Sequence, residues 1–385
     1  MTNYFSSSFS LAILGGGQLG KMLLYETRKW DIYTKVLDPS NEAPCRMSCN
    51  EFVQGDLLDY DSVYQFAKDA DVLTIEIENV NVEALEALEK EGVKVYPSPK
   101  TLRKIQDKGT QKLFYDQHQI PTSAFKVFED KASAYAAVES GAVSLPTVWK
   151  SRTGGYDGRG VQVIRNIETF EQLPDVPCLL EDLVPFETEL AVTVARNAAG
   201  DIKVYPVVEM EFHPEANQVE YVLCPARIKD SYAKKAQDIA KRTSEAIGHV
   251  GLLAVELFLT KEGDILVNEV APRPHNSGHY SIEGSLTNQF EQHLRAILNL
   301  PLGATESIIP AIMVNLSGAE GYTGQVVYEN IEKILAIPGV TPHIYGKKET
   351  RPFRKMGHIT IVNEDMDKAR EIAEEVNKSI LVRSE

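Results

Sequence analysis

The sequence predicts a multidomain chain that is α/β at its amino end and α+β beyond it. A parallel-sheet segment is expected over residues 1–99, a larger segment with antiparallel strands over 100–300, and a small mixed β segment over 301–385. Three observations carry this. Up to residue 99, short apolar runs alternate with amphipathic stretches, which is βαβ grammar. After Pro97-Ser98-Pro99 the pattern changes to helices and long β-branched runs, as in antiparallel sheets. Past Pro301, short strands enclose one short helix before a charged tail. With 43% hydrophobic and 25% charged residues over 385 positions, the chain is too apolar for disorder and long enough for two or three cores.

In chain order, Leu11–Leu14 reads as a strand, followed by glycines and an amphipathic helix over Gln18–Trp30. A strand at Lys35–Leu37, a helix near Asp61–Ala70, a strand at Val72–Ile75, a helix over Val82–Glu91 and a strand at Val93–Tyr96 complete a parallel sheet. Pro97-Ser98-Pro99 reads as a linker, because successive X-Pro steps disfavour helix. Strands follow at Thr188–Ala195, Ile202–Glu209 and Leu252–Leu259, the last paired with Ile265–Ala271. In the third segment, strands are expected at Ile312–Leu316, His343–Tyr345 and His358–Val362, a helix at Asn330–Ala336, and a charged helix at Asp365–Asn377.

Forty Lys and Arg stand against 55 Asp and Glu, a net charge of −15. Such a surface repels nucleic acid and anionic membranes, so neither is expected as a partner. No run approaches the roughly 18 apolar residues of a membrane span. The amino end lacks a basic region before its short apolar run Leu11–Leu14, so no signal peptide is expected. Four cysteines, Cys45, Cys49, Cys178 and Cys224, are too few for a disulfide framework and fit a cytoplasmic protein. Cys45 and Cys49 have no second ligand couple at zinc spacing and read as free thiols.

Five patterns bear on chemistry. Gly15, Gly17 and Gly20 match the dinucleotide fingerprint between a strand and a helix, and Asp38 ends the next strand where a ribose-binding acid would sit; alone, these suggest a nicotinamide enzyme, or merely a tight turn. Thr153 to Gly160 holds four glycines, with Lys150 before it and Arg159 inside it, and reads as a phosphate-contacting loop that is not a Walker motif. In the hairpin, a turn centred on Glu262 and Gly263 sets Glu256 directly opposite Glu269. Among apolar neighbours, two facing carboxylates need a shared proton or a divalent cation, and hard oxygen ligands suit magnesium; a register error would leave both acids in water instead. Ala271 to Tyr280 is a rigid polar loop whose Arg273, His275, Asn276 and Ser277 suit an anion or substrate better than zinc. Lys347, Lys348, Arg351, Arg354 and Lys355 form a basic cluster, conspicuous in an acidic chain, that is either an anion site or a solvated loop.

Together, Gly15 to Gly20 (GGGQLG), Gly154 to Gly160 (GGYDGRG), Asn268 to His279 (NEVAPRPHNSGH), Tyr345-Gly346-Lys347 and Arg354 to His358 (RKMGH) resemble the ATP-grasp carboxylate-amine ligases. Within them the likeness is to the purine-biosynthetic N5-carboxyaminoimidazole ribonucleotide synthases. It spans nearly the whole chain, and the Pro-Arg-Pro-His-Asn-Ser-Gly-His run is its most specific part. The fold it implies is a Rossmann-like parallel domain, a central ATP-grasp domain and a small C-terminal mixed β domain. It implies ATP contacts from Lys108, Lys150, Gly155, Tyr156, Asp157, Gly158, Arg159, Gly160 and Val161, with Glu181, Asp182, Leu183 and Val184 at the adenine, Glu189 at the ribose and His213 nearby. Glu256, Asn268 and Glu269 would hold magnesium, with manganese as a substitute. The imidazole ribonucleotide would meet Tyr156, Asp157, Arg159, Arg273, His275, Asn276, Ser277, Lys347, Arg354 and Lys355, and Asp157, Arg159 and Arg273 would act in catalysis. Many relatives carry Arg where Lys108 stands, which implies a weaker or monodentate contact here.

The activity this resemblance implies is ATP- and bicarbonate-dependent carboxylation of 5-aminoimidazole ribonucleotide on its exocyclic amine, via carboxyphosphate, with release of ADP and phosphate. The glycine loop would close over carboxyphosphate, and Asp157 would orient the amine or take its proton. A homodimer and a transient hand-off of product to the downstream mutase are also implied. The formate-using glycinamide ribonucleotide ligases share the Pro-Arg and Gly-His elements, but Pro274, Asn276 and Ser277 favour the imidazole substrate. A nicotinamide dehydrogenase leaves the facing glutamates unexplained, and a regulatory nucleotide-binding module would bind ATP without turnover.

Overall fold

The computed structural model describes residues 3–155, 160–214 and 218–385. In its first segment, β1 (Ser10–Leu14), β2 (Tyr33–Asp38), β3 (Glu51–Gln54), β4 (Val72–Ile75) and β5 (Lys94–Tyr96) form a sheet in the order β3-β2-β1-β4-β5, every pair parallel. The central strands are buried on both faces, hence the near-continuous apolar run Leu11–Leu14. On one face, α2 (Tyr60–Ala67) and α3 (Val82–Lys90) bury Phe66, Leu85 and Leu88 against Leu14 and Leu73. On the other, α1 (Gln18–Lys29) shares its core with Phe290, Leu294 and Ile297 from far along the chain.

The linker expected at Pro97-Ser98-Pro99 is the start of a helix, α4 (Pro99–Ile105). Ser98 caps it by accepting the Thr101 N–H, Pro99 supplies the preset φ of a first turn, and Leu102 packs into the first core. Proline in this context starts a helix instead of preventing one. The strand β3 carries no apolar run of its own and was invisible to periodicity.

The next segment opens with α5 (Lys108–Gln117), capped by Asp107. Strands β6 (Phe125–Phe128), β7 (Thr147–Ser151), β8 (Val161–Ile164) and β9 (Cys178–Asp182), with α6 (Lys131–Glu139), build a four-stranded sheet in the order β6-β9-β7-β8. Its core joins Trp149, Phe170 and Leu180 to Ala134 and Val138. There follow β10 (Phe186–Arg196), β11 (Ile202–Val204), β12 (Val208–Phe212), β13 (Val219–Cys224), α7 (Asp230–Ile247), β14 (Gly251–Thr260), β15 (Ile265–Ala271), α8 (Ser281–Gly284) and α9 (Gln289–Ile297). The single strand expected over Ile202–Glu209 is split by Tyr205-Pro206-Val207, where Pro206 has no N–H to give to a ladder.

The last segment holds β16 (Ala311–Ser317), β17 (Gly324–Glu329), α10 (Ile331–Ile334), β18 (Val340–Ile344), β19 (Glu349–Thr350), β20 (Lys355–Val362), α11 (Met366–Ser379) and β21 (Leu381–Ser384). Its strands do not stand apart. β16 pairs with β13, so a sheet runs β15-β14-β10-β12-β13-β16-β20-β18 across both segments, and its pairings are antiparallel. Helix α11 covers the distal half through Ala369, Ala373 and Val376. The helix expected at Asn330–Ala336 is a single turn, and β17 and β21 pair with each other where no strand was expected.

Candidate active site

The site is built on one face of β10, β14 and β15. Alternation along β10 and β14 sends Leu190, Val192, Val255, Leu257 and Leu259 into the core under Ala236, Ile239 and Ala240 of α7. The opposite face therefore carries Glu189, Ala191, Glu256 and Phe258, with Ala191 beside Glu256 and Glu189 beside Phe258. Glu256 faces Glu269 across the ladder, as the hairpin argument expects.

The route to that pairing differs from the expectation. The turn is one residue tighter: Leu259 faces Ile265, so its centre is Glu262 alone, and on that register Glu256 would oppose Asn268. A register shift between Glu256 and Leu257 leaves Asn268 as the extra residue of a bulge and restores Glu269 to the opposing position. A bulge also suspends strict alternation, which lets adjacent residues turn toward one side. Asn268 Oδ1 accepts from Lys150 Nζ at 2.9 Å, while Glu269 pairs with Lys108.

The two carboxylates are electrostatically unequal. Desolvation, with Glu269 and Glu189 adding repulsion, pushes Glu256 up to about 8. Lys108 instead holds Glu269 down to about 2, against its own desolvation. Glu189 rises to about 7, mainly by burial. Two carboxylates and the Asn268 amide oxygen are hard donors, and Glu256 lacks a full counter-charge, so the residues fit magnesium. No group of three or more His, Cys, Asp or Glu is placed to hold a metal among the described residues, so such an ion would complete its shell with water and phosphate oxygens.

Glu181, 3% exposed, organises the lysines. Its Oε2 lies 3.2 Å from both Lys112 Nζ and Lys150 Nζ and accepts from Ser123 Oγ at 2.8 Å. Burial alone would raise its pKa, but Lys150 and Lys112 together hold it below the usual carboxylate range. The strand assigned to the adenine ends at Asp182, and Leu183 and Val184 lie in the connection to β10.

The loop after β15 is pinned on several sides. Arg273 Nε lies 2.9 Å from Glu78 Oε1 of the first segment, and His275 N–H donates to Gln289 Oε1 at 2.9 Å. His275 Nδ1 is 3.0 Å from Ser277 Oγ, and its Nε2 is 3.6 Å from Glu256 Oε1, which ties the loop to the acidic pair. The Asn276 amide exchanges two hydrogen bonds with Asn315 of β16, at 2.9 and 3.0 Å. Ser277 is buried. His279 stacks on His358, and His358 on His343, with centroids 4.6 and 4.4 Å apart. From the third segment, the Lys355 charge bears on Glu256, Lys347 Nζ donates to the Lys355 carbonyl at 2.7 Å, and Arg354 Nη1 donates to the Glu349 carbonyl at 2.6 Å. Lys21 of α1 donates to the Ile344 and Tyr345 carbonyls, both at 3.1 Å, docking this segment on the first. His213 follows β12 directly and packs against Phe353, ring centroids 5.8 Å apart.

The nicotinamide reading of the first glycines fails here. Glu76 accepts from Gly17 N at 2.6 Å and Gly20 N at 2.7 Å, and Asp38 accepts from Gly16 N at 2.7 Å. A Cβ on Gly17 would lie 2.3 Å from Glu76 Oε1, so glycine is required by the protein's own carboxylate. The amides a pyrophosphate would use are occupied, and Asp38 serves the turn instead of a ribose. Of the expected contacts, Tyr156, Asp157, Gly158 and Arg159 lie outside the described residues. Lys112, Glu76, Glu78 and Asn315 were not foreseen. Lys112 alone left a signal, standing one helical turn after Lys108 behind the Asp107 cap.

The chain matches family models for a ribonucleotide synthetase preATP-grasp domain over residues 9–106, an ATP-grasp domain over 113–290 and a phosphoribosylaminoimidazole carboxylase C-terminal domain over 311–372. It is 39% identical over 94% of its length to a phosphoribosylaminoimidazole carboxylase of Candida albicans, of which it spans 65%. The N5-carboxyaminoimidazole ribonucleotide synthetase of Thermotoga maritima is 45% identical with a TM-score of 0.88, over 98% of this chain and 100% of that one. An Aspergillus clavatus N5-carboxyaminoimidazole synthase in complex with ADP and 5-aminoimidazole ribonucleotide is 33% identical with a TM-score of 0.88, over 96% and 98%.

Proposed function

The chain belongs to the N5-carboxyaminoimidazole ribonucleotide synthase family of ATP-grasp proteins, and on that premise we propose that it is a carbon-nitrogen ligase that carboxylates 5-aminoimidazole ribonucleotide with ATP and bicarbonate. The observation that carries this reading is the facing pair Glu256 and Glu269, bulged at Asn268 and bordered by Lys108, Lys150 and the Arg273 to Ser277 loop. Acids, lysines and a donor-rich loop on one surface suit a nucleotide and a second anionic substrate together.

A bicarbonate oxygen attacks the γ-phosphorus of ATP, the bond to the β-phosphate oxygen breaks, and ADP leaves with carboxyphosphate formed. The exocyclic amine then attacks the carboxyl carbon, or CO₂ released from it. Phosphate departs and the amine loses a proton, to Asp157 in this reading. Lys108 and Lys150 orient and neutralise phosphate oxygens, helped by the loop from Gly155 through Val161. Magnesium, when held by Glu256, Asn268 and Glu269, supplies further charge neutralisation at the phosphates. The strand end from Glu181 to Val184 borders the adenine, Glu189 serves the ribose, and His213 borders the nucleotide. Tyr156, Arg159, Arg273, His275, Asn276 and Ser277 orient the imidazole ribonucleotide, and Lys347, Arg354 and Lys355 take its phosphate.

The segments 1–99, 100–300 and 301–385 divide as docking platform, nucleotide site and second-substrate site. A cytoplasmic homodimer that hands its product to the next mutase completes the reading. Four free cysteines suit the cytoplasmic part of that reading, and among the described residues no helix is long and apolar enough to cross a membrane. Supplying ¹³C-bicarbonate with ATP and 5-aminoimidazole ribonucleotide tests the chemistry: a new carbamate carbon signal should grow in step with ADP. Growth of ADP with label remaining in bicarbonate would remove the ligase reading.

A further inference from the structure

We propose that Lys112, on α5, is a positioning residue that holds the bulge of β15 so that Asn268 and Glu269 face Glu256. The inference rests on the metal reading of that pair. Lys112 lies one helical turn from Lys108, so both ammonium groups leave the same face of α5, but toward different partners. Lys108 meets Glu269 itself, whereas Lys112 is 2% exposed and meets none of the three proposed ligands.

Two routes lead from Lys112 to the bulge. Along the first, Lys112 Nζ donates to Thr122 Oγ1 at 2.6 Å, and Thr122 Oγ1 donates to the Val267 carbonyl at 2.7 Å. Val267 N–H in turn donates to the Pro121 carbonyl at 2.7 Å. Val267 is the last residue of β15 in register with β14 before Asn268 is expelled from the ladder. The Pro121-Thr122 segment, bridged in parallel to Val267, thus grips both polar groups of the residue from which the bulge starts.

Along the second route, Lys112 Nζ lies 3.0 Å from Ser123 Oγ and 3.2 Å from Glu181 Oε2. Ser123 Oγ donates to the same Glu181 oxygen, and Lys150, which shares that oxygen, donates to Asn268 Oδ1. Each of the three Lys112 protons has an acceptor, and each acceptor hydroxyl passes its own proton on toward the bulge or Glu181. Such a chain fixes its members more firmly than isolated pairs do. A buried ammonium with three acceptors would be costly to retain only as support for a helix, where an apolar residue of similar length would pack as well.

The test compares T122V, T122S and K112M with the intact enzyme. T122V keeps the shape of Thr122 and removes its hydroxyl, and T122S keeps the hydroxyl. Binding of Mn²⁺ in the presence of ADP is followed by electron paramagnetic resonance, and steady-state constants are measured alongside. T122V and K112M should weaken Mn²⁺ binding by about tenfold or more, the scale of one charge-assisted hydrogen bond, and raise the half-saturating magnesium concentration similarly. T122S should match the parent, and the KM for the imidazole ribonucleotide should stay within about twofold in all three. Should K112M fail to fold, the Thr122 pair decides. Parental Mn²⁺ binding by T122V, or loss of every constant together including in T122S, overturns the positioning role. E269Q in the same Mn²⁺ experiment separates the two layers. If E269Q loses the ion and T122V does not, only this inference falls; if E269Q also binds as the parent, the metal reading falls with it.

Discussion

Replacing Glu256 by Gln should remove a pH-dependent loss of stability from the nucleotide-free protein. The unfolded chain releases this proton near 4.5, whereas the folded chain keeps it to about 8, first because the carboxyl is desolvated and then because Glu269 and Glu189 repel a second charge. A group whose folded pKa is raised favours the folded state at low pH, and that contribution fades as pH rises through the window from about 4.5 to about 8. The side chain is 17% exposed, so solvent screening discounts it only modestly. At roughly 1.36 kcal/mol per unit, the width of the window bounds the effect at an order of 5 kcal/mol. Glu269 does not interfere, since its lowered pKa acts as pH falls toward about 2. Buried histidines such as His249 and His293 titrate in both proteins alike and cancel in the difference. Urea unfolding of parent and E256Q, in buffers from about pH 5 to about pH 8.5, reads the difference directly. The parent should lose a few kcal/mol relative to E256Q across that range. Parallel curves would refute the burial argument and put both acids in ordinary water.

Glu269→Gln should abolish most turnover with the fold intact, as measured by circular dichroism and ADP release at limiting magnesium, because an isosteric amide removes one ligand charge; parental activity would remove it from the metal set. Arg354→Ala should raise the KM for 5-aminoimidazole ribonucleotide by about tenfold to a hundredfold and leave that for ATP unmoved, since Lys108 and Lys150 are the proposed partners of the nucleotide phosphates; the reverse pattern would transfer the ribonucleotide phosphate to Arg273. Glu76→Gln should lower stability by about 1 to 3 kcal/mol in chemical denaturation, because one of the Gly17 and Gly20 amides would then meet an NH₂ group. In the parent, NADH fluorescence should not change on titration, and an enhancement would reopen the dinucleotide reading.

Much of the fold was legible because its signals are local. The parallel strands β1 and β4 are near-continuous apolar runs, broken only by Ser10 and Thr74, and β10 and β14 are long enough that alternation survives small errors at their ends. What periodicity missed depends on partners distant in sequence. β3, β17 and β21 are short strands that exist because a neighbour offers a free edge, and α4 exists because Leu102 finds the first core. The junction of β13 with β16, which merges two segments into one sheet, has no local signature at all. The facing glutamates illustrate the limit well: a turn one residue too long and an unseen bulge offset one another, so the pair was found while its geometry was not. Glu76 was missed because a glycine fingerprint cannot say whether its amides face a ligand or the protein's own carboxylate. Lys112 and Glu181 acquire meaning only when α5, β7 and β9 converge.

The most direct test of the central claim is ADP release measured with every combination of bicarbonate, 5-aminoimidazole ribonucleotide, glycinamide ribonucleotide and formate. The account predicts release that requires bicarbonate, is accelerated by the imidazole ribonucleotide and is indifferent to glycinamide ribonucleotide with formate. Release driven by formate and glycinamide ribonucleotide, or none under any combination despite ATP binding, would contradict it.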